Sequence, residues 1–181
     1  AYSSRIIDVP ASTGYGEPIQ KQFKLKDGEK SVAAMSLDPR ASGDIAAKHE
    51  GDAAPVHAIA ASTDGYALRF NLDAFVEPST RSGRRYARPS GSAEIVGVAR
   101  LTGGEVLIAA TADARGLICR ADEVNHLSGP GKGVLLVKLG KDDRVLGAIT
   151  VAQILAAGLL VIGALIMWRL ATPAPGAEGA D

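Results

Sequence analysis

The sequence predicts an all-β fold of bladed type followed by a single C-terminal apolar helix. Three observations carry this expectation. A passage occurs twice, as Ala60-Ala61-Ser62-Thr63-Asp64-Gly65-Tyr66-Ala67-Leu68-Arg69 and as Thr111-Ala112-Asp113-Ala114-Arg115-Gly116-Leu117-Ile118-Cys119-Arg120. Aligned on Gly65 and Gly116, each copy carries an arginine four residues later, Arg69 and Arg120. Each copy then leads through a glycine- and base-rich loop, Ser82-Gly83-Arg84-Arg85 or Gly129-Pro130-Gly131-Lys132-Gly133, to an apolar strand and a charged turn. Short strands repeating with a period of roughly 40 to 50 residues indicate stacked blades whose function lies on a shared surface. The third observation is an uncharged stretch over residues 145–168.

The elements follow in order. Residues 2–9 alternate loosely, and the two glycines and two prolines of 10–18 make a loop. Residues 21–25 lead into the turn Lys26-Asp27-Gly28-Glu29 and a strand over 31–37. This order of strand, basic loop, strand, acidic-glycine turn and strand matches the later copies, so it reads as an earlier, divergent repeat. Residues 38–55 break the rhythm and read as an exposed linker or insertion. The second copy runs from Val56 through Leu72-Asp73-Ala74-Phe75 and a loop over 78–92 to strands at 95–101 and 106–110. The third passes Asp122-Glu123-Val124 to a strand over 134–139 and a closing strand from Val145 to about Ala148.

Beyond Arg144 the text changes. The twenty-four uncharged residues 145–168 would span roughly 36 Å as a helix, against a hydrocarbon layer of about 30 Å. With the closing strand removed, a helix over 151–170 keeps about twenty residues, still sufficient to span. Trp168 and Arg169 stand where an interfacial ring and a snorkelling cation belong. Lys132, Lys138, Lys141 and Arg144 precede the span, which puts the β domain on the cytoplasmic side of an inner membrane. The competing reading is a buried β-rich continuation. The expected organisation is a β domain over 1–148, a membrane helix over 149–170 and a disordered tail over 171–181.

Composition narrows the function. The chain has 181 residues, with 20 Lys and Arg against 20 Asp and Glu, so any nucleic-acid affinity must come from the placement of charge. Aromatic residues are only 4%, which argues against stacking on single strands. Cys119 alone excludes an internal disulfide and reads as a buried, inert thiol. The first residues lack a signal-peptide pattern and read as mid-strand, so the chain is expected to be part of a longer polypeptide. His49, His57 and His126 lack metal-ligand spacing, and Gly131-Lys132 is no Walker loop. No catalytic residue, metal or cofactor is expected.

The densest charge signal is Arg81-Ser82-Gly83-Arg84-Arg85-Tyr86-Ala87-Arg88, four arginines in eight residues without an acid. Such a loop can neutralise phosphates in a sequence-independent, salt-sensitive way. Cations recur at the same repeat position, at Lys132 and at Lys21, Lys24 and Lys26, which lines basic loops along one rim. Tyr86 among its arginines reads as a ring stacked on its own rim.

Whole phrases extend this reading. Gly83-Arg84-Arg85-Tyr86-Ala87-Arg88-Pro89, Glu94-Ile95-Val96-Gly97-Val98, Thr111-Ala112-Asp113-Ala114-Arg115-Gly116-Leu117, Ser128-Gly129-Pro130-Gly131-Lys132-Gly133-Val134 and Gly140-Lys141-Asp142-Asp143-Arg144-Val145-Leu146-Gly147 fall within residues 81–148. This passage resembles the C-terminal domain of the A subunit of bacterial type IIA topoisomerases, DNA gyrase and topoisomerase IV. Asp8-Val9-Pro10-Ala11-Ser12-Thr13-Gly14-Tyr15-Gly16 and Ser36-Leu37-Asp38-Pro39-Arg40 are similar too. The resemblance covers residues 1–148 and implies a partial β-pinwheel of about three repeats. It implies a basic rim that binds and wraps duplex DNA, working beside a topoisomerase core and an ATPase subunit of an ATP-hydrolysing enzyme. By position, Lys21, Arg81, Arg84, Arg85, Arg88 and Lys132 would be the DNA-binding residues. The glycine-flanked basic box of gyrase is reduced to Gly129-Pro130-Gly131-Lys132-Gly133, and the cleavage domain with its tyrosine is absent.

Two functions of different class follow. The first is a duplex DNA-binding module of a topoisomerase A subunit, non-catalytic by itself. The second is a membrane-tethered β domain serving as scaffold or accessory subunit of a membrane complex, its blades a matter of ancestry. Open blade edges invite self-association.

Overall fold

The computed structural model describes residues 1–3, 23, 25, 27–43, 45, 54–80 and 82–171. Most of the early divergent repeat and the expected tail lie outside the described residues. The strand expected over 31–37 is described and is not formed, because no described residue pairs with it.

The centre of the fold is β1 (His57–Ser62), buried at every position. Its run of small and apolar residues does not alternate, the pattern of a strand covered on both faces. Ile59 and Ala61 enter one core with Leu101, Leu107, Ala109, Val124 and Ala148. Ala58 and Ala60 enter a second core with Ile45, Val56, Leu68, Phe70 and Phe75. Antiparallel to β1 lie β2 (Tyr66–Asn71) on one side and β3 (Ile95–Leu101) on the other.

The second core needs a cover, and the described residues within 38–55 provide part of it. Asp38 caps the one-turn helix α1 (Pro39–Ser42), accepting the Arg40 N–H at 2.9 Å. Ser42, Ile45 and Ala54 are buried. Pro39, Arg40, Ala41, Gly43 and Pro55 are exposed, so of the two expectations, linker or insertion, the described residues fit an insertion partly packed on the second core.

The next repeat forms β4 (Val106–Thr111), β5 (Gly116–Arg120), the two-residue β6 (Val134–Leu135) and β7 (Val145–Thr150). One sheet has the order β3-β1-β2-β6 and the other β5-β4-β7. The sheets therefore interlock, since β6 belongs to the second repeat yet completes the edge of the first sheet. The strand expected over 134–139 shrinks to β6 because β2 offers it only Tyr66 and Ala67 as partners.

Pairing registers show how the copies correspond. Ala61 pairs with Ala67 and Gly97, and Ala110 with Gly116 and Gly147. Both ladders then break register, at Ser62 and at Thr111. Ala110 thus stands where Ala61 stands, Ala114 matches Gly65, Gly116 matches Ala67, and Ile118 matches Arg69. Aligning Gly65 on Gly116 and Arg69 on Arg120 is off by two positions. The turn needs a left-handed residue. Gly65 supplies it at φ 83°, and Ala114 adopts it at φ 58° despite its Cβ.

After β7 the chain passes directly into α2 (Val151–Ala171), 21 residues long. The Thr150 N–H donates to Gln153 Oε1 at 2.9 Å, joining strand to helix without a linker. The helix has no polar face, and residues 151–169 are exposed throughout.

Candidate nucleic-acid interface

The arginine loop is fastened at four points. The Tyr86 ring stacks on Phe70 with centroids 4.8 Å apart, and Ala87 is buried beside it. Burial raises the Tyr86 phenol above its ordinary pKa, fitting an anchor and not a nucleophile. Arg84 N–H donates to Ala1 O at 2.7 Å. Arg88 N–H donates to Gly131 O at 2.7 Å, and Ala87 forms a parallel bridge with Gly131. The two basic loops of successive repeats are therefore bonded side by side.

On this frame Arg84, Arg85 and Arg88 are exposed. The Arg84 guanidinium donates to Ala74 O. Among the described residues, no carboxylate makes an ion pair with Arg85 or Arg88. Arg84 and Arg85 also border an open cleft that contains Asp27 and Glu29. Lys132 is placed differently. Its Nζ lies 3.6 Å from Asp64 Oδ2 and 3.6 Å from the centre of the Tyr66 ring, with the side chain 37% exposed. It braces its loop against β2 and still presents charge to solvent. Lys21 and Arg81 lie outside the described residues.

Gly133 permits this close seating. It has φ 89°, and a Cβ there would run into the Ala67 carbonyl. The chain can lie against β2 only with glycine at this position.

A third group counts in the sequence only toward membrane orientation. Lys138, Lys141 and Arg144 are exposed on the loop before β7. That loop meets the Gly65 turn, through Leu136 N–H to Gly65 O at 2.8 Å and Val145 N–H to Thr63 O at 3.0 Å. It therefore shares the end of the sheets that carries Lys132. The neighbouring Asp142 and Asp143 hid the signal, but Asp143 is engaged internally. Its carboxylate takes Arg115 Nη2 at 2.5 Å and the Asp113 N–H at 3.0 Å. Burial opposes its ionisation, yet these donors and the Arg144 N–H hold it at about 2.

The remaining polar groups explain structure. The Arg69 guanidinium donates to Val124 O at 2.5 Å and Asp122 O at 3.1 Å, tying β2 to the following repeat. Cys119 is half-buried, and burial together with Glu123 raises its thiol pKa. Among the described residues, no three His, Cys, Asp or Glu side chains group as metal ligands.

The family described as DNA gyrase C-terminal domain, beta-propeller, matches residues 57–101 and 105–152, more than half the chain. The chain belongs to this family. Its matched segments hold both sheets, and the fold recurs in solved members of this kind. The C-terminal domain of DNA topoisomerase IV superposes with a TM-score of 0.64 at 14% identity, over 75% of this chain and 38% of that one. The DNA gyrase A C-terminal domain gives 0.56 at 15% identity, over 77% and 42%. The E. coli ParC C-terminal domain gives 0.54 at 19% identity, over 76% and 52%. The gyrase-type chain thus matches about two-fifths to one half of these structures, and at this identity they establish the fold as a partial pinwheel. No curated protein matches the chain.

Proposed function

We propose that this gyrase-type domain is the duplex DNA-binding and wrapping module of a type IIA topoisomerase A subunit. It acts in the cytoplasm beside a separate cleavage core and an ATPase subunit, and so contributes to the control of DNA topology. The proposed phosphate contacts are Arg84, Arg85, Arg88 and Lys132, with Lys21 and Arg81 from the same sequence pattern. The observation that carries the reading is the bond from Arg88 N–H to Gly131 O. It bonds two basic loops together, with Arg85 and Arg88 exposed on one and Lys132 on the other. Phosphates on one face of a duplex meet such a surface without base readout.

The test replaces Arg84, Arg85 and Arg88 together by Ala in the full chain. Affinity for a duplex of about 40 bp falls, and the dependence of log affinity on log salt loses about one unit of slope per phosphate contact removed. A variant that binds as tightly as its parent at low salt overturns the assignment.

The exposed α2 favours a second reading, a β domain tethered to a membrane as scaffold or accessory subunit. Its 21 residues give about 31 Å of helix, the thickness of the hydrocarbon layer. Flotation of the full chain with lipid vesicles tests it, and a chain left in the aqueous fraction at every lipid load sinks it.

A further inference from the structure

The equivalence of the two hairpins leaves one strand edge unaccounted for. On β2, Arg69 N–H donates to Asn125 O at 3.0 Å and Arg69 O accepts from Leu127 N–H at 2.8 Å. Further along, Tyr66 and Ala67 pair with β6. The outer edge of β2 is thus covered by the repeat that follows it.

Ile118 on β5 is the counterpart of Arg69. Thr111 N–H donates to Arg115 O, and Ala121 N–H donates to Glu105 O, each at 2.9 Å. By the alternation of an antiparallel ladder, Leu117 and Cys119 bond toward β4, while Gly116, Ile118 and Arg120 turn their N–H and C=O groups outward. Among the described residues nothing bonds to those outward groups. Here β7 runs directly into α2, where β3 runs on to β4.

We propose that the β5 edge pairs with β5 of a second copy of this chain, antiparallel about a two-fold axis at Ile118. The edge is self-complementary in this register. Ile118 faces Ile118 of the second copy, so its outward N–H and C=O are both matched. Arg120 faces Gly116, so no like charges oppose one another across the strands. Ile118 is 70% exposed in the single chain. It continues an apolar row with Ile108, its partner on β4, and the 44% exposed Ile149, the partner of Ile108 on β7. Pairing joins two three-stranded sheets into one of six strands with that row unbroken, and removes an open edge. Across the axis the strands run in opposite directions, so the two α2 helices leave opposite ends of the joined sheet. Both cannot then enter one flat bilayer, and pairing belongs to copies that do not share a membrane. The DNA-binding surface is not used.

The test is disulfide cross-linking of the full chain in detergent micelles, where each α2 has its own apolar surroundings. With Cys119→Ser as background, Ile118→Cys gives a covalent dimer under mild oxidation, whereas Ile108→Cys on the interior strand β4 does not. In parallel, Ile118→Lys in the otherwise native chain raises the dimer dissociation constant by roughly tenfold or more, read by sedimentation. Ile118 is exposed, so neither change threatens the fold. If Ile118→Cys yields no more dimer than Ile108→Cys, or if the parent sediments as a monomer at every concentration reached, the proposal falls.

Discussion

His57 shows how one side chain carries a pH dependence into the core. Its ring is buried on β1, with Nδ1 2.8 Å from Ala54 O and Nε2 3.3 Å from Arg69 Nη1. These partners suit a neutral ring that donates from Nδ1 and accepts at Nε2. Protonation would turn a second N–H against the guanidinium. Burial lowers the His57 pKa below its ordinary value, the Ala54 carbonyl opposes this, and Arg69 reinforces it. As pH falls, the unfolded chain takes up this proton before the folded one does. The stabilisation is therefore full above about pH 6.5 and declines below it, down to the lowered folded value. Thermal unfolding of the parent falls between about pH 7.5 and about pH 5.5, and His57→Gln flattens that dependence. An unchanged slope in the variant would assign the effect to other groups.

Among the elements, the segment leading into β6 depends most on a single position. Gly133→Ala costs about 1–2 kcal/mol from the left-handed backbone alone, before the contact with the Ala67 carbonyl is counted. Because the 129–133 loop is bonded to Arg88, the damage spreads to the arginine loop. Hydrogen exchange at the Arg88 and Leu136 amides rises in the variant, and unchanged protection there would show that the loops are held independently. These elements were unequally legible in the sequence. Ile95–Leu101 is read to the residue because its apolar run ends at Gly103-Gly104, and α2 begins at Val151, where a helix is expected once the closing strand is set aside from the uncharged run. The correspondence of the repeats was misread because glycine is conspicuous as a letter, whereas Ala114 takes the same backbone conformation without announcing it. The bond between the two basic loops joins residues 88 and 131, a pairing no local pattern encodes. Lys132 was legible as a cation, but its bracing by Asp64 and Tyr66 requires the turn of β2 to be in place.

At the scale of the molecule, the loop of Lys132 and the start of α2 sit at opposite ends of the strands. Thr150, from which α2 departs, pairs with Leu107 at one end of the second sheet. Lys132, Lys138 and the turns at Gly65 and Ala114 gather at the other. A six-residue strand separates these ends by about 20 Å. A bilayer around α2 therefore leaves the loop of Lys132 facing water, and the two readings of function are compatible in one molecule. In the flotation experiment, duplex DNA added at low salt rises with the vesicle-bound chain and is released as salt increases. DNA left behind by chain that has itself floated would mean that the membrane occludes the basic surface.

The crossing of β6 into the first sheet has a consequence for how the molecule is made. The first sheet begins at His57 and stays incomplete until Leu135 has been synthesised, because its last strand arrives after β4 and β5. Neither repeat is a separate folding unit. A nascent chain that stops between residues 101 and 134 holds a three-stranded sheet with a bare edge, and the core shared with Leu107 and Val124 is unfinished. The interlock thus turns two repeats into one cooperative event, with the basic surface appearing only at its end.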